Sequence, residues 1–574
     1  MSMADELTIR IAGEAGQGMQ TIGFILSRTF KNSGLSIFAN QDYMSRVRGG
    51  NNFFQIRISD KPLYALRSKA DIIIALDKKS ADIHKGYIAS GGLIILDKKK
   101  LGVVDSDPVF FDVPLHEMAV TAAGSEIAIN TVSCGVVAAL TGINFNSLEA
   151  VIISAFEGKD EDIINKNVLA AKAGYDFAKD NFKDERFFVK TSPAKETILL
   201  NGNEAIAFGA IKAGCKFYSA YPMTPSTSIM DTVAHYADRF GILVEQAEDE
   251  IAAVNMILGA SFAGVRSMAG TSGGGFALMV EGVSLAGMTE TPIVIVDSQR
   301  PAPATGFPTR TEQADLDFVL HSGHGEFARA VYSPGSIEEL FYLTVKAFNV
   351  AEKYQIPVII LTDQHLADSY RNIAPFDTGK AKAERFIIEK KDSGGISGYK
   401  RYLLTESGIS PRAIPSWIND VIYADSDEHT EEGHITEDAS VRIKMVEKRF
   451  YKKMAGLSKE VEKPTSYNIE GSQIILLGFG STYGVMKEVC SSTSGAKTGF
   501  IHLPQVWPFP AEEMLRLLKG AKRIVTVENN AGAQLARLLR RETGIEVTDS
   551  ILKYDGRPFD IDLLANRMAE ICGK

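Results

Sequence analysis

Cysteine is scarce in this chain of 574 residues. Its four cysteines, Cys134, Cys215, Cys490 and Cys572, stand far apart, and no two form a CxxC pair. This spacing excludes the usual local motifs of structural zinc sites and iron–sulfur clusters. We expect the cysteines to be reduced and to serve as small apolar side chains.

Long apolar runs and long basic runs are also lacking. No stretch approaches the ~20 apolar residues needed to span a bilayer, and residues 1–6 are acidic and have no apolar signal core. The net charge of −9 at pH 7 argues against nucleic acid as a partner. We therefore expect a cytoplasmic protein that binds neither a membrane nor nucleic acid.

Short aliphatic runs are the clearest structural signal in the chain. They do not alternate between apolar and polar residues, so each predicts a strand buried on both faces in a parallel sheet. Apolar residues at helical spacing lie between some of these runs, as at Ile251, Val254, Leu258 and Phe262. The predicted fold is α/β and multidomain, with several doubly wound parallel-sheet modules that bind ligands at the carboxyl ends of their strands. The runs are residues 72–77, 93–97, 293–297, 358–363, 474–478 and 524–528.

Composition divides the chain into four regions. Residues 1–185 are predicted to form a first α/β module, and residues 195–375 a second. Residues 376–470 are rich in charge, glycine and serine, which is typical of a connecting region, with helical parts near 441–457. Residues 471–574 are predicted to form a small carboxyl-terminal α/β module.

The most informative motif is the stretch from Tyr221 to Thr227. It follows an apolar run, so it is predicted to be the turn at the end of a buried strand. Pro222 and Pro225 restrict the backbone at and before their own positions, which would hold the Thr224 hydroxyl rigidly in a pocket. The alternative is a stiff loop without a ligand, in which Thr227 caps the next helix.

Two charged residues follow in the same segment. Glu250 stands at the apolar face of a predicted helix, where partial desolvation would raise its pKa and let it share a proton with a ring nitrogen of a cofactor. Its neighbours Glu248 and Asp249 are explained by the helix dipole alone. Arg300 follows a predicted strand and could bind a substrate carboxylate through two hydrogen bonds; an ion pair with a nearby acid is the alternative.

Two glycine-rich turns near the amino terminus are candidate anion sites. Gly16 and Gly18 would let the backbone approach an anion at a helix terminus, although Ala15 breaks the dinucleotide fingerprint. Arg48 stands beside Gly49 and Gly50, and its guanidinium matches phosphate or carboxylate geometry. Turns without ligands, and a nicotinamide-dependent dehydrogenase built on the first turn, remain alternatives.

The segment from His429 to His434 places two histidines among carboxylates. Because the surrounding sequence is highly charged, we expect a solvated lid or linker there and predict no metal site. Trp507 lies in a proline-rich segment that is predicted to be a rigid, packed loop.

These motifs together resemble the α subunit of 2-oxoacid:ferredoxin oxidoreductases, in the form with a γ domain fused in front. The resemblance covers nearly the whole chain and is strongest to the 2-oxoglutarate branch. Met223 replaces the isoleucine of the family's Y-P-I-T-P motif, and Ala304 replaces the serine of its P-S-T-G-x-P-T-x-x-E-Q stretch. The matching segments are 13–18, 48–50, 130–132, 221–225, 303–313 and 553–559.

The resemblance implies thiamine diphosphate chemistry. In this family Thr224 and Arg300 would hold the 2-oxoacid, and Arg310 could meet the distal carboxylate of 2-oxoglutarate. Glu250 would contact the aminopyrimidine ring of the coenzyme, in a pyrimidine-binding domain that also includes Tyr221 and Pro222. The γ-type domain, with the turns at Gly16, Gly18 and Arg48–Gly50, would lie on the coenzyme A side.

The resemblance also implies a partner. The chain contains no G-D-G…N segment of the kind that binds Mg²⁺ and diphosphate. A β subunit would therefore supply Mg²⁺ and a [4Fe-4S] cluster and would share the thiamine diphosphate, in an (αβ)2 heterotetramer that reduces ferredoxin. The expected reaction is the CoA-dependent oxidation of 2-oxoglutarate to succinyl-CoA and CO2. Pyruvate, branched-chain oxoacids and a non-catalytic scaffold remain alternatives.

Overall fold

The computed structural model of the chain describes residues 4–45, 49–105, 107–492 and 497–572. The described residues form two compact units. The first comprises the described residues up to Leu200, Ser369–Pro375 and the described residues from Asp560 onwards; the second comprises Asn201–Asp368 and Phe376–Phe559. The four-region division drawn from composition remains a proposal.

The first unit contains a mixed eight-stranded sheet packed with helices. Numbered in chain order, its strands are β1 (Glu6–Ala15), β2 (Ser36–Asp42), β3 (Gly49–Ser59), β4 (Ala70–Ala75), β5 (Ile88–Leu96), β6 (Phe110–Asp112), β7 (Ile198–Asn201) and β14 (Tyr370–Ile373). Its helices are α1 (Met19–Asn32), α2 (Lys78–His84), α3 (Lys98–Leu101), α4 (Leu115–Ala123), α5 (Ile129–Leu140), α6 (Phe145–Ala155), α7 (Glu161–Asn181) and α22 (Ile561–Cys572).

The sheet of the first unit differs from the expected parallel arrangement. Its order is β6-β5-β4-β1-β3-β2-β14-β7, and β1, β4, β5 and β6 are parallel neighbours. By contrast, β3 pairs antiparallel with both β1 and β2, and β14 pairs antiparallel with β2. The short connection between β2 and β3 explains the antiparallel pairing of these two strands, because only an antiparallel pair can be joined without a long crossover.

The second unit contains a seven-stranded and a five-stranded sheet. Its strands are β8 (Phe217–Ala220), β9 (Leu243–Gln246), β10 (Ser267–Thr271), β11 (Ile293–Gln299), β12 (Ala330–Tyr332), β13 (Pro357–Asp363), β15 (Thr465–Tyr467), β16 (Ile474–Phe479), β17 (Thr498–Leu503), β18 (Gln505–Trp507), β19 (Arg523–Glu528) and β20 (Asp549–Leu552). Its helices are α8 (Gly202–Lys212), α9 (Thr227–His235), α10 (Ala237–Phe240), α11 (Glu250–Phe262), α12 (Gly273–Met288), α13 (Leu316–His321), α14 (Ile337–Tyr354), α15 (Gln364–Asp368), α16 (Lys390–Ser393), α17 (Ala439–Val446), α18 (Lys453–Leu457), α19 (Thr482–Ser492), α20 (Ala511–Leu517) and α21 (Gln534–Thr543).

Both sheets of the second unit are mainly parallel. Their orders are β18-β12-β13-β11-β10-β8-β9 and β15-β17-β16-β19-β20, and only the edge strands β18 and β15 pair antiparallel among the pairings described. One continuous apolar core contains residues of both sheets, such as Ile295 and Leu477. The two sheets of this unit are therefore packed as one body.

The six aliphatic runs are confirmed as strands β4, β5, β11, β13, β16 and β19. Two smaller expectations were wrong. Trp507 lies in β18, which extends the seven-stranded sheet, and not in a loop. Ile251 is 50% exposed, whereas Val254 and Leu258 on the same helix are buried.

The region 376–470 is anchored to the second unit by buried charges. The predicted helical part is confirmed as α17 and α18, joined by a π-helical turn. Lys448 in this turn and Lys453 at the start of α18 both form ion pairs with the buried carboxylate of Glu290. Arg401 donates to the Glu290 carbonyl at 2.6 Å. The positive charges of these three side chains hold the pKa of Glu290 far below its usual range, so this carboxyl group stays charged.

The expectation that the histidine segment of this region is solvated was wrong for His429. Its side chain is fully buried, and its ring centroid lies 3.9 Å from that of Tyr402. The neighbouring acid Glu428 is neutralised by Arg449 and Arg442. Because this acid pairs with arginines of α17 and of the π-helical turn that follows it, a sequence that looks solvated can pack.

Among the described residues, no single helix is both long enough and apolar enough to cross a membrane. One pair of helical segments, Leu115–Ala123 and Glu126–Leu140, meets both criteria when taken together, and the two segments are bent by 120° relative to each other.

Candidate active site

Three neighbouring strands of the seven-stranded sheet end at one edge. β8, β10 and β11 are parallel neighbours, and their carboxyl ends lead to Tyr221, to Ser272 and to Arg300. In open α/β sheets this edge is where ligands bind. The fold therefore gathers several of the predicted site residues at one place within the second unit.

The turn that carries Thr224 is fixed by hydrogen bonds. The hydroxyl and the backbone N–H of Ser226 both donate to the Met223 carbonyl, at 2.8 and 2.9 Å. From helix α8 the amide of the buried Asn203 donates to the Pro225 carbonyl at 2.7 Å. The rigidity predicted from the two prolines thus has a second source that the sequence did not reveal.

Arg300 contacts Thr224 through the main chain. Its Nη1 donates to the Thr224 carbonyl at 2.7 Å. Burial lowers the pKa of Arg300, and the nearby carboxyl groups of Asp315 and Glu250 act in the opposite direction. Arginine remains charged under such conditions, so a guanidinium held by a backbone carbonyl is suited to bind a carboxylate.

Tyr221 and Pro222 begin the same turn. Tyr221 is 42% exposed despite its large aromatic ring, and Pro222 is half-buried. The helix that follows starts at Thr227, with Ser226 at the cap position. An exposed aromatic ring at a ligand-binding edge suits contact with a ligand or with a second chain.

Glu250 is the first residue of helix α11 and is buried, with 3% of its surface exposed. The preceding residue, Asp249, caps the helix by accepting from the Ala252 N–H at 2.7 Å. Burial is the main cause that raises the pKa of Glu250; Asp249 raises it further and Arg300 lowers it. Asp249 therefore has a capping role that was not predicted from the helix dipole, whereas the burial expected for Glu250 is observed.

The Glu250 carboxyl group lies against the first turn of helix α12. A Cβ atom on Gly275 would overlap both Glu250 Oε1 and Thr271 Oγ1, so only glycine leaves room for this carboxyl group. Oε1 is buried and has no hydrogen-bond partner among the described residues. A buried carboxyl oxygen without a partner is costly unless a ligand satisfies it. The aminopyrimidine of thiamine diphosphate, with its ring nitrogens, fits this requirement.

Two further carboxyl groups lie at the same edge. Asp297, at the end of β11, is fully buried, and both its carboxyl oxygens lack a partner among the described residues. Burial and the neighbouring Asp315 raise the pKa of Asp297 well above its usual value, and burial raises the pKa of Asp315 to about 6. Burial and the neighbouring acid therefore favour the neutral form of Asp297.

Asp297 is the last residue of the aliphatic run 293–297, so the sequence carries a signal for one member of this pair. Neither aspartate is among the predicted site residues. In the part of the chain that the structure describes, no group of three or more His, Cys, Asp or Glu side chains is arranged to hold a metal ion.

The loop from Arg300 to Asp315 is sharply folded. Gly306 has φ 51°, and a Cβ there would overlap the Pro301 carbonyl oxygen. Arg310 donates its backbone N–H to the Phe307 carbonyl at 3.1 Å, and its Cβ would lie 3.3 Å from a Cβ on Gly556. Arg310 is thus placed on the far limb of the loop, beside the turn at Gly556.

The amino-terminal turns lie in the first unit. β1 extends to Ala15, beyond the strand over residues 7–11 that the opening apolar run predicts. α1 starts at Met19. Gly16 and Gly18 have φ values of 96° and 83°, and a Cβ on Gly18 would overlap the Asn130 side chain. Close packing therefore explains Gly18 directly.

The second turn contains Gly49 and Gly50, with φ values of 75° and 90°. The Asn52 side chain donates to the Gly49 carbonyl at 3.2 Å and accepts from the Met44 N–H at 2.8 Å, which closes the hairpin. Arg48 lies outside the described residues. A role of these turns in coenzyme A binding remains a prediction.

Three family profiles match the chain in sequence. Residues 208–448 match the family described as pyruvate flavodoxin/ferredoxin oxidoreductase, thiamine diphosphate-binding. Residues 8–177 match pyruvate ferredoxin/flavodoxin oxidoreductase, and residues 472–563 match pyruvate:ferredoxin oxidoreductase core domain II. Thr224, Glu250 and Arg300 all lie within the first match.

Curated relatives match over nearly their full lengths. The chain is 35% identical to the 2-oxoacid:ferredoxin oxidoreductase subunit alpha of a Sulfolobus species, over 98% of this chain and 96% of that protein. It is 28% identical to the 2-oxoglutarate oxidoreductase subunit KorA of Mycobacterium tuberculosis, over 99% of this chain and 93% of that one.

One solved structure aligns over 99% of both chains, with a TM-score of 0.92 and 32% sequence identity. It is 2-oxoglutarate:ferredoxin oxidoreductase from Magnetococcus marinus with 2-oxoglutarate, coenzyme A and succinyl-CoA bound.

Proposed function

Because the chain belongs to the family of 2-oxoacid:ferredoxin oxidoreductase α subunits, we propose that it oxidises 2-oxoglutarate to succinyl-CoA and CO2, with coenzyme A as co-substrate and ferredoxin as electron acceptor. It does so as part of a thiamine diphosphate-dependent complex with a β subunit. The reaction is reversible in principle.

The arrangement of Thr224, Arg300 and Glu250 at one sheet edge is the observation that carries this proposal. A cation and a fixed turn stand beside a buried carboxyl group whose Oε1 lacks a partner among the described residues. A 2-oxoacid needs a cation for its carboxylate and a donor for its oxo group, and thiamine diphosphate needs a carboxyl group at its pyrimidine ring. The likeness to a structure that contains 2-oxoglutarate supports this substrate.

Each residue then has one task. Arg300 binds the substrate carboxylate and keeps its own position through the Thr224 carbonyl. The Thr224 hydroxyl donates to the oxo group, and the hydrogen bonds from Ser226 and Asn203 hold its turn. Glu250 accepts or returns a proton at a pyrimidine ring nitrogen, for which its raised pKa is suited. Bound thiamine diphosphate supplies the nucleophile for the oxo carbon and the electron sink for decarboxylation.

Exposed apolar side chains support the proposal that a second chain completes the site. Tyr221, Ile251, Leu278 and Phe307 belong to the elements that form the edge, and they are 42%, 50%, 48% and 59% exposed. Large exposed apolar residues around a binding site are typical of an interface. The β subunit that would bring Mg²⁺, diphosphate contacts and a [4Fe-4S] cluster is the proposed occupant, in an (αβ)2 assembly.

The first test is anaerobic, CoA-dependent reduction of a viologen dye by the complex of this chain with its β subunit. We expect turnover with 2-oxoglutarate, weak or no turnover with pyruvate and branched-chain oxoacids, and none from this chain alone. Turnover with pyruvate alone would keep the reaction class and overturn the substrate. Turnover by the isolated chain would overturn the need for a partner.

Arg310 is proposed to bind the distal carboxylate of 2-oxoglutarate. We expect Arg310→Gln to raise the KM for 2-oxoglutarate about tenfold or more, since a hydrogen bond to a charged group contributes about 1.5–3 kcal/mol. The KM for a monocarboxylate such as pyruvate should stay unchanged wherever it can be measured. Arg557→Gln, on an exposed residue of the facing turn, is the matched control, and an equal effect of both variants would contradict the role of Arg310.

The alternatives make different predictions. None of the family profiles and relatives reported above is a nicotinamide-dependent dehydrogenase. If the chain does not bind NAD(P)H, the dehydrogenase alternative is excluded. A non-catalytic scaffold would bind coenzyme or partner normally but would give no turnover in the assembled complex with any oxoacid.

A further inference from the structure

The loop that carries Arg300 is closed at its base by one glutamine. Gln299 Oε1 accepts from the Asp315 N–H at 3.0 Å, and Gln299 Nε2 donates to the Thr362 carbonyl at 3.0 Å. Between these ends the loop turns sharply at Ala304 and Gly306, which have positive φ values, and Phe307 is 59% exposed. The position of the loop therefore depends on how its returning limb is anchored.

Gln313 anchors that limb to the five-stranded sheet. It is fully buried, and its Nε2 donates to the Phe479 carbonyl at 2.9 Å and to Asp363 at 3.3 Å. Its Oε1 accepts from the Asn529 N–H at 3.1 Å, and its own N–H donates to the Asn529 carbonyl at 2.7 Å. One side chain thus joins the ends of β13, β16 and β19.

The turn after β19 adds bonds to the same limb. Asn530 Nδ2 donates to the Gln313 carbonyl at 3.2 Å. Gln534 Nε2 donates to the Ala314 carbonyl at 2.8 Å, and its Oε1 accepts from the Asp317 N–H at 3.0 Å. Gln534 therefore anchors the last residues of the same limb, where the loop enters α13, and supports the attachment made by Gln313.

We propose that Gln313 is a positioning residue for oxoacid binding, which ties the Arg300 loop to the five-stranded sheet and so fixes the guanidinium for the substrate carboxylate. The proposal rests on the role proposed above for Arg300. Because each hydrogen-bonding atom of Gln313 has a buried partner, an apolar replacement leaves several polar groups unsatisfied and lets the limb shift. A displacement of about 1 Å is enough to cost roughly 100-fold in such a site.

Gln313→Met in the assembled complex tests this, because methionine keeps the length and removes the hydrogen bonds of the side chain. We expect the KM for the oxoacid to rise about tenfold or more, with kcat and the KM for coenzyme A little changed, which marks lost substrate binding. Gln505→Met is the matched control, because Gln505 is a buried glutamine of the same unit whose side chain bonds the Glu462 N–H and the Trp507 carbonyl, away from this loop; it should leave the oxoacid KM near the wild-type value. If the Gln313→Met variant does not assemble, Gln313→Glu is used instead. Glutamate still accepts a hydrogen bond from the Asn529 N–H but cannot donate to the Phe479 carbonyl.

An unchanged oxoacid KM in the Gln313 variant would overturn the proposal. An equal rise in both variants would do the same, because it would point to general loosening of this unit. Arg300→Gln separates this failure from failure of the role proposed for Arg300. If Arg300→Gln raises the oxoacid KM and Gln313→Met does not, only the positioning role is lost; if neither does, the role of Arg300 is lost as well. Absence of oxoacid turnover by the wild-type complex would mark failure of the proposed function itself.

Discussion

Replacing Glu250 by glutamine should lower the kcat of the assembled complex by about 10²–10⁴-fold, the usual contribution of a positioned acid–base group. Glutamine keeps the size of the side chain but cannot take up or release a proton. Because burial raises the pKa of Glu250 above 4.5, the acid limb of the wild-type rate profile should lie above pH 4.5. That limb should be absent from the residual activity of the variant, which steady-state assays from pH 5 to 8 can measure.

The same change should not destabilise the fold. The folded-state pKa of Glu250 lies above its ordinary value of 4.5, so the folded chain holds this proton at pH values where the unfolded chain has released it. The stability gained from the neutral carboxyl group is present below pH 4.5 and is lost as the pH rises through the folded-state pKa. At pH 7 the glutamine variant, which cannot ionise, should unfold at the wild-type temperature or above it.

Asp249→Asn is the matched control for Glu250. It removes the neighbouring carboxylate, and asparagine still caps helix α11. Its kcat should remain close to that of the wild type. Near-normal kcat in Glu250→Gln, or an activity loss that follows a fall in melting temperature, would show that Glu250 is not the acid–base group.

The parts of the fold that were predictable are those fixed by local sequence. A continuous aliphatic run has one favourable environment, a strand buried on both faces, and for this reason β4, β5, β11, β13, β16 and β19 could be recognised. The pairing direction of β3 was not predictable in this way, because it depends on the connection to β2 and on which strands become neighbours.

The candidate site was predictable where a charged residue stands at a helix start or directly after a strand. Glu250 is the first residue of α11 and Arg300 follows β11, and the structure brings them close enough to affect each other's pKa. Asn203 and Gln313 carry none, since a neutral amide looks like an ordinary capping or surface residue until its partners, distant in sequence, are known. Long-range hydrogen bonds of this kind are set by tertiary structure alone.

The burial of charged segments was the second feature that could not be predicted from the sequence. The segment around His429 was expected to be solvated because it is rich in charge, yet His429 is buried and Glu428 is paired with Arg449. Sequence gives the number of charges but not their pairing, and a paired charge can be buried where an isolated one cannot.

Replacing Arg300 by glutamine should raise the KM for the 2-oxoacid about 100-fold, which corresponds to about 2.8 kcal/mol at 1.4 kcal/mol per factor of ten. The substrate carboxylate would lose its charged partner, while the Glu250 carboxyl group stays in place with its pKa raised further, so kcat at saturation and the KM for coenzyme A should change much less. Arg300→Lys should fall between, because lysine keeps the charge but cannot bond the Thr224 carbonyl and a carboxylate with one planar group. Arg239→Gln, on the exposed side of helix α10, removes a cation elsewhere in the same unit and should have no such effect. An Arg300→Gln enzyme with a wild-type oxoacid KM would mean that the substrate carboxylate is bound by another group.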